Sequence, residues 1–351
     1  MMNRKVFFHK LLNWEYWPTF MFYLPNIPYV IYLAIKAKSP VFYTATNPAI
    51  KNSGDGTESK YKTVQLIPKK YRPKTVFATP NEDFKTVLMN IETEEIKFPL
   101  IAKPDIGFRG MLVKKINSEN ELKEYLKKYH INIIIQEFIT YKHECGILYC
   151  RLPNEKKGTI TSITLKKFST VIGNGKSTLS ELILIDERAK IYYNLFQEIH
   201  NENMLLIPKH GEEVILTAIG NHSKGTEFLG GNDLINERLI NTIDTINKQI
   251  NGWYYGRLDI KYDTFEGLEK GDNFKILEIN GIISEATHVF DSKKYSYFDA
   301  VKAIKNHWKT VYNIAIINHK IYGVKYAKTF TFLKDMKGLR NYIKKVKKLS
   351  P

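Results

Sequence analysis

Cysteine is scarce in this chain, and acid is scarce at its C-terminal end. Only Cys145 and Cys150 occur in 351 residues, too few for a disulfide framework, and such sparse usage points to a reducing, cytoplasmic setting. Their C-x4-C spacing has no second Cys or His pair beside it, which argues against a zinc site. No G-x-G-x-x-G follows a strand in the first hundred residues, so a dinucleotide fold is unsupported. Gly173-Asn174-Gly175-Lys176-Ser177-Thr178 invites a phosphate-loop reading, but Thr170 stands where that motif needs glycine. A cleavable signal is not expected, because no small-residue cleavage site follows the apolar N-terminal run, which continues into Lys36-Ala37-Lys38.

What is abundant is basic charge. Lys and Arg number 53 against 36 acids, for a net charge of +17. Residues 301–351 carry thirteen bases and one acid, Asp335. Leu339, Tyr342, Ile343 and Val346 fall at i, i+3, i+4, i+7, predicting a basic amphipathic helix. A solvated surface, anionic lipid and nucleic acid are its three possible uses, and nucleic acid rests on charge alone. At the other end, Tyr16 to Ile35 is a run of twenty uncharged residues. Pro18, Pro25 and Pro28 break it, and Trp14, Trp17, Phe20, Phe22, Tyr23, Tyr29 and Tyr32 give it the aromatic load of an interfacial segment. Two readings stand: peripheral attachment to the inner membrane face, reinforced by the C-terminal lysines, or packing against the protein itself.

The most informative feature is Gly256-Arg257-Leu258-Asp259-Ile260, followed by Ile276-Leu277-Glu278-Ile279-Asn280-Gly281. Each piece alternates as a strand does, so Arg257 and Asp259 share one face away from Leu258 and Ile260, and Glu278 and Asn280 are split likewise from Leu277 and Ile279. The turn-rich connection predicts an antiparallel hairpin, which gathers an arginine, two carboxylates and an amide on one patch. Such groups are costly to bury without partners. Oxygen donors of this kind suit Mg2+, which completes its shell with water and nucleotide phosphates, and an arginine beside them suits a phosphoryl group. The competing reading is a surface hairpin with a salt bridge.

Between these features the chain alternates strands and helices, predicting an α+β fold. The expected organisation is an atypical aromatic-rich segment over 1–73, a central domain over 74–300 and a basic helical extension over 301–351. The central domain divides into a nucleotide lid at about 98–138 and a metal and acceptor part at about 139–291. Strands are expected at Thr75-Val76-Phe77-Ala78 and Phe98 to Pro104, a glycine loop at Asp105 to Gly110, and a strand from Asn132 to Phe138. Ser118 and Glu121 open a helix as a capping box, and Ser177 or Thr178 caps the helix through Leu179 to Leu184.

Taken in order, these pieces resemble the ATP-grasp superfamily over roughly Lys74 to Asp291. The likeness is to its carboxylate-amine ligases, such as D-alanine-D-alanine ligase, the cyanophycin synthetase ligase domain and the ribosomal-protein glutamate ligases. It implies an ATP-grasp fold of two α+β subdomains gripping ATP. It assigns Lys103, Gly107, Arg109 and Gly110 to the ATP phosphates. The inter-lobe hinge becomes Gln136-Glu137-Phe138-Ile139, where Glu137 and the Ile139 backbone would face adenine, and Glu144 takes the ribose. Lys166 or Lys167 supplies a second lysine. Arg257 would meet the transferring phosphoryl group, with Asp259, Glu278 and Asn280 as Mg2+ ligands for two ions, or for Mn2+.

The implied reaction activates a carboxylate as an acylphosphate and joins it to an amine, with Arg257, Lys103 and Lys166 offsetting phosphate charge. Small-molecule or lipid-linked carboxylate and amine substrates are expected, with Asn221, His222, Lys224, Glu285 and His288 as candidate contacts. An ordinary hydrogen-bonded role is the simpler reading of both histidines. The alternatives are an ATP-grasp enzyme forming a phosphate ester or thioester, and a non-catalytic nucleotide-binding or membrane protein. Two departures limit the likeness: residues 1–73 show no Rossmann-like domain, and Gly281-Ile282-Ile283-Ser284 replaces the proline-glycine turn of the D-alanine ligases.

Overall fold

The structure, a computed structural model, describes residues 8, 10–18, 20–107, 110–217 and 220–349. The first sheet is formed by β1 (Thr75–Ala78), β2 (Leu100–Pro104), β3 (Lys114–Ile116) and β4 (Ile133–Glu137), in the antiparallel order β1-β4-β2-β3. Leu100 and Ala102 are buried against the helices Phe84–Thr93 and Glu119–Lys128, which contribute Val87, Ile91, Leu122 and Tyr125 to one core. Alternation turns Ile101 and Lys103 to the opposite face. Ser118 caps its helix by accepting from Glu121 N, while Glu121 accepts from Asn117 N, one residue before the expected partner.

Further along lie β5 (His143–Cys150), β6 (Thr159–Lys167), β7 (Thr170–Ile172), β8 (Glu213–Ile215), β9 (Glu227–Gly230), β10 (Tyr255–Tyr262) and β11 (Phe274–Ile279). β7 and β8 pair with each other; the rest form a five-stranded antiparallel sheet, β11-β10-β5-β6-β9. Its back is closed by the helix Glu237–Asn247, which packs Leu239, Ile243 and Ile246 among Tyr149, Trp253, Leu258 and Ile276. β10 and β11 pair as the sequence predicts, but their connection holds a helix, Phe265–Lys270, capped by Thr264 and by Gly271 in the left-handed region. Thr178 caps the helix Leu179–Ile185 in a full capping box with Glu181.

The two ends of the chain fold onto this frame. The short helix Phe20–Tyr23 and the helix Ile27–Lys36 lie along the long helix Tyr297–Lys320. Phe22 is buried with Val289, Ala300 and Ile304, and Asn26 Nδ2 donates to Val301 O at 3.0 Å. Buried Asn47 bolts the following loop to β10, accepting from Tyr254 N and Tyr255 N and donating to Tyr255 O. There Gly54, at φ 82°, touches Gly281 so closely that a Cβ on Gly281 would fall 1.9 Å from Ser53 O. Only glycine permits that approach.

The C-terminal helix Thr329–Leu349 spends its apolar stripe on the protein. Val346 is buried in the core of the first sheet with Tyr342 packed beside it, and Leu339 and Ile343 face the central cleft. Asp335 ties the same helix to the N-terminal loop through Lys51 and Asn52. Among the described residues no helix is long and apolar enough to cross a membrane.

Candidate active site

A cleft of about 1570 Å³ runs between the two sheets. Its chemistry is densest along β10 and β11, where Asp259 and Glu278 stand directly opposite each other. Arg257 grips Asp259 with two bonds, Nε to Oδ1 at 3.1 Å and Nη2 to Oδ2 at 3.2 Å. From β6, Lys166 Nζ reaches Asp259 Oδ1 at 2.9 Å and Glu144 Oε1 at 2.7 Å. Asn280 Nδ2 joins the two acids, donating to Asp259 Oδ2 at 2.9 Å and Glu278 Oε1 at 3.2 Å. Lys60, on the short helix Lys60–Gln65, completes the set through an ion pair with Glu278.

Burial sharpens each charge. Desolvation alone would raise the Asp259 carboxyl, but Arg257 and Lys166 outweigh it and hold the group far below the usual carboxylate range. Burial is likewise overcome at Glu278, chiefly by Lys60, and the group stays low. Lys166 is pushed down by burial and back above the ordinary lysine range by Asp259 and Glu144. Lys103 differs: burial takes it down to about 8, and its Nζ donates to a neutral acceptor, Gln136 Oε1 at 2.9 Å. A lysine held this way is ready for an anion.

Among the described residues, no group of three or more His, Cys, Asp or Glu forms a metal cage by itself. Two carboxylates and an amide oxygen make an incomplete hard-donor set, which fits Mg2+ arriving with nucleotide phosphates better than a permanently resident ion. Lys60, Lys166 and Arg257 occupy those carboxylates here, and cationic partners are what such buried acids demand.

At the hinge, Glu137 lines the cleft and its Oε2 accepts from Lys74 N at 3.1 Å. Ile139 O accepts from Lys261 Nζ at 3.3 Å, and the Phe138 ring lies under Lys115 and Lys261. Glu144 is fixed by Lys166 and packed so tightly that a Cβ on Gly220 would stand 2.3 Å from its Oε1. Gly107 and Gly110 line the cleft, Gly107 beside the Lys60 stem; Arg109 lies outside the described residues. Of the two candidate lysines on β6, Lys166 faces the cleft, whereas Lys167 is exposed and pairs with Glu227.

The far end of the cleft is aromatic and comes largely from the N-terminal segment. Tyr16, Trp17, Phe20 and Tyr23 line it with Phe228 and Phe290. Glu15 Oε1 accepts from Arg188 Nη1 at 2.8 Å and lies 2.9 Å from His222 Nε2, and His222 stacks on Phe290. Tyr23 OH donates to Glu285 Oε2 at 2.7 Å. Asn221 also lines the cleft, but Lys224 and His288 do not. His288 is buried against Tyr295 with Nδ1 2.6 Å from Ser162 Oγ, and burial lowers it to about 4, so it stands as a core histidine. Sequence reasoning missed Lys60, Glu15 and Arg188; each lies far along the chain from its partner.

Two antiparallel sheets closing on a cleft with lysines over paired acids define an ATP-grasp fold. The family comparison agrees: residues 57–197 match the RimK-like ATP-grasp domain. The match begins three residues before Lys60. Among solved structures, the chain is similar to a bifunctional glutathione synthetase from Pasteurella multocida, at 14% identity and TM-score 0.39, covering 69% of this chain and 36% of that one. It is also similar to a D-alanine-D-alanine ligase from Bacillus anthracis, at 13% identity and TM-score 0.40, covering 72% and 67%. The VanG D-Ala:D-Ser ligase from Enterococcus faecalis gives 12% identity and TM-score 0.41, covering 73% and 61%. No curated protein matches the sequence.

Proposed function

We propose that the chain is an ATP-dependent ligase that activates a carboxylate as an acylphosphate and joins it to an amine. The observation that carries this reading is the convergence of Lys60, Lys103, Lys166 and Arg257 on Asp259, Glu278 and Asn280 within one cleft. Asp259, Glu278 and Asn280 are the residues to hold Mg2+, as two ions or with Mn2+ in their place; when bound, the metal spreads the charge of the ATP phosphates. The four cations hold the triphosphate and the oxygens of the transferring phosphoryl group. The substrate carboxylate then attacks the γ-phosphorus and ADP leaves. The amine attacks the acyl carbon, phosphate departs, and the amine gives up a proton. No side chain needs to act as nucleophile, so positioning and charge neutralisation supply the rate.

The hinge residues Gln136, Glu137 and Ile139 lie where adenine would sit, with Glu144 toward the ribose. His222, Glu285 and Asn221 also line the cleft, and the aromatic walls beside His222 favour substrates with apolar bulk, small-molecule or lipid-linked. Wild type and Glu278→Ala provide the test. The wild-type protein should bind Mg-ATP and, with hydroxylamine as a surrogate amine and its carboxylate present, yield a hydroxamate. Glu278→Ala should lose both; normal Mg-ATP binding and wild-type turnover in the variant would remove the metal assignment.

A further inference from the structure

The helix Ile27–Lys36 buries one side chain, Leu33, against the long helix Tyr297–Lys320. Ile27, Ile31 and Ile35 stand on its exposed side at i, i+4, i+8, with Ile35 72% exposed. Leu24 and Phe20 extend this stripe upstream and Tyr32 widens it, each at least half exposed. Isolated exposed apolar residues are ordinary, but a continuous stripe of six marks a binding surface.

Charge identifies the occupant. No Asp or Glu occurs from Tyr16 to Gly54. The neighbouring long helix carries one acid, Asp299, which is committed to its N-terminal capping box. Along that helix Lys302, Lys305 and Lys309 are exposed, and Lys305 Nζ lies 5.3 Å from the Tyr29 ring, at the edge of the stripe. Lys36 sits at the other end, over Tyr32 and Tyr312. An apolar ridge bordered by lysines and free of acids matches a leaflet of anionic phospholipid, with hydrocarbon beneath phosphate. A partner face made of protein would have to supply a comparable row of acids, and this chain's own surplus of bases disfavours a second copy.

We propose that this face, built by Leu24, Ile27, Ile31 and Ile35 with Lys302, Lys305 and Lys309, docks the protein flat on an anionic membrane surface. The C-terminal lysines are not its main element, because the stripe beneath them is taken up by the first sheet and the cleft. Phe20 belongs both to the stripe and to the cleft wall, so the aromatic end of the cleft adjoins the docked surface. The proposal goes beyond the ligase reading and stands without it.

The test is flotation of the full chain with phosphatidylglycerol-containing or pure phosphatidylcholine vesicles, at low and high salt. Wild type should float with the anionic vesicles at low salt. Lys302→Gln/Lys305→Gln/Lys309→Gln should lose about fivefold in partitioning per lysine removed and most of the salt dependence. Ile31→Glu/Ile35→Glu should lose at least about tenfold, with thermal melting unchanged because both positions are exposed. Wild type remaining in the soluble fraction would overturn the proposal, as would flotation indifferent to Ile31→Glu/Ile35→Glu. A dimer that this variant splits, without flotation, would make the face a self-interface. A larger loss from neutralising Lys344, Lys345, Lys347 and Lys348 than from the three helix lysines would relocate the contact.

Discussion

At one end of the cleft, β10 and β11 hold Arg257, Asp259, Glu278 and Asn280, with Lys60 and Lys166 paired to the two acids; at the other, Tyr16, Trp17, Phe20, Tyr23 and Phe290 surround one charge cluster, Glu15 with Arg188 and His222. The ionic end is made of sheet, whose alternation fixes side-chain direction to within one residue. The aromatic end is assembled from the N-terminal segment and the loops before β9 and after β11. Under the proposed reading, chemistry common to an ATP-dependent fold falls on the sheet, and substrate contact falls on segments that can change independently.

The sharpest way to break this division is at the ionic end. Asp259→Asn leaves Lys166 and Arg257 buried with one anion fewer, so both the chemistry and the fold should suffer. We expect turnover to fall by about 10²–10³-fold or more, the scale of losing a preorganised electrostatic contact. Stability should fall by up to about 3–5 kcal/mol, as for breaking a buried ion pair. Steady-state ADP release and urea denaturation measure the two. Turnover within a few-fold of wild type would mean that the acids at this end are structural.

The ionic end was legible in the sequence because a polar residue at every second position of an apolar strand is conspicuous. Asp259 and Glu278 meet across the ladder as the alternation requires, and only the helix Phe265–Lys270 between the strands went unread. Lys60 was not legible: it stands on a six-residue helix and pairs with an acid 218 positions later. The aromatic end was readable only as apolar. A run such as Tyr16 to Ile35 has the same composition whether it faces lipid, core or substrate, and here it does more than one of these: Phe22 is buried, Tyr23 lines the cleft and Ile31 is exposed. The C-terminal stripe shows the same ambiguity, since helical periodicity names a face without naming what covers it.

A smaller effect is expected at the aromatic end. Glu15→Gln removes the charge that organises Arg188 and His222 without touching the lysines of the ionic end. The KM for the acceptor side should rise about tenfold, the usual cost of one misplaced charged contact, while the dissociation constant for Mg-ATP stays unchanged. Calorimetric titration with ATP decides the point: a parallel loss of ATP affinity would show that the two ends act as one network.

The most graded effect, and the finest probe of the ionic end, is the pH dependence of Lys103. With its folded value near 8 and an unfolded value of about 10.4, the native protein sheds this proton while the unfolded chain still holds it. Between those values the unfolded state binds more protons, so the Lys103 contribution to the stability of the ligand-free protein rises with pH. ATP requires the charged form, so affinity should move the opposite way, weakening by at most about tenfold per pH unit above 8. Lys103→Arg keeps its charge throughout and should flatten both trends. The checks are melting temperature and ATP affinity for the two proteins across that window. Parallel curves for wild type and Lys103→Arg would mean that Lys103 is already protonated across the window and that the cleft holds its charge without ligand.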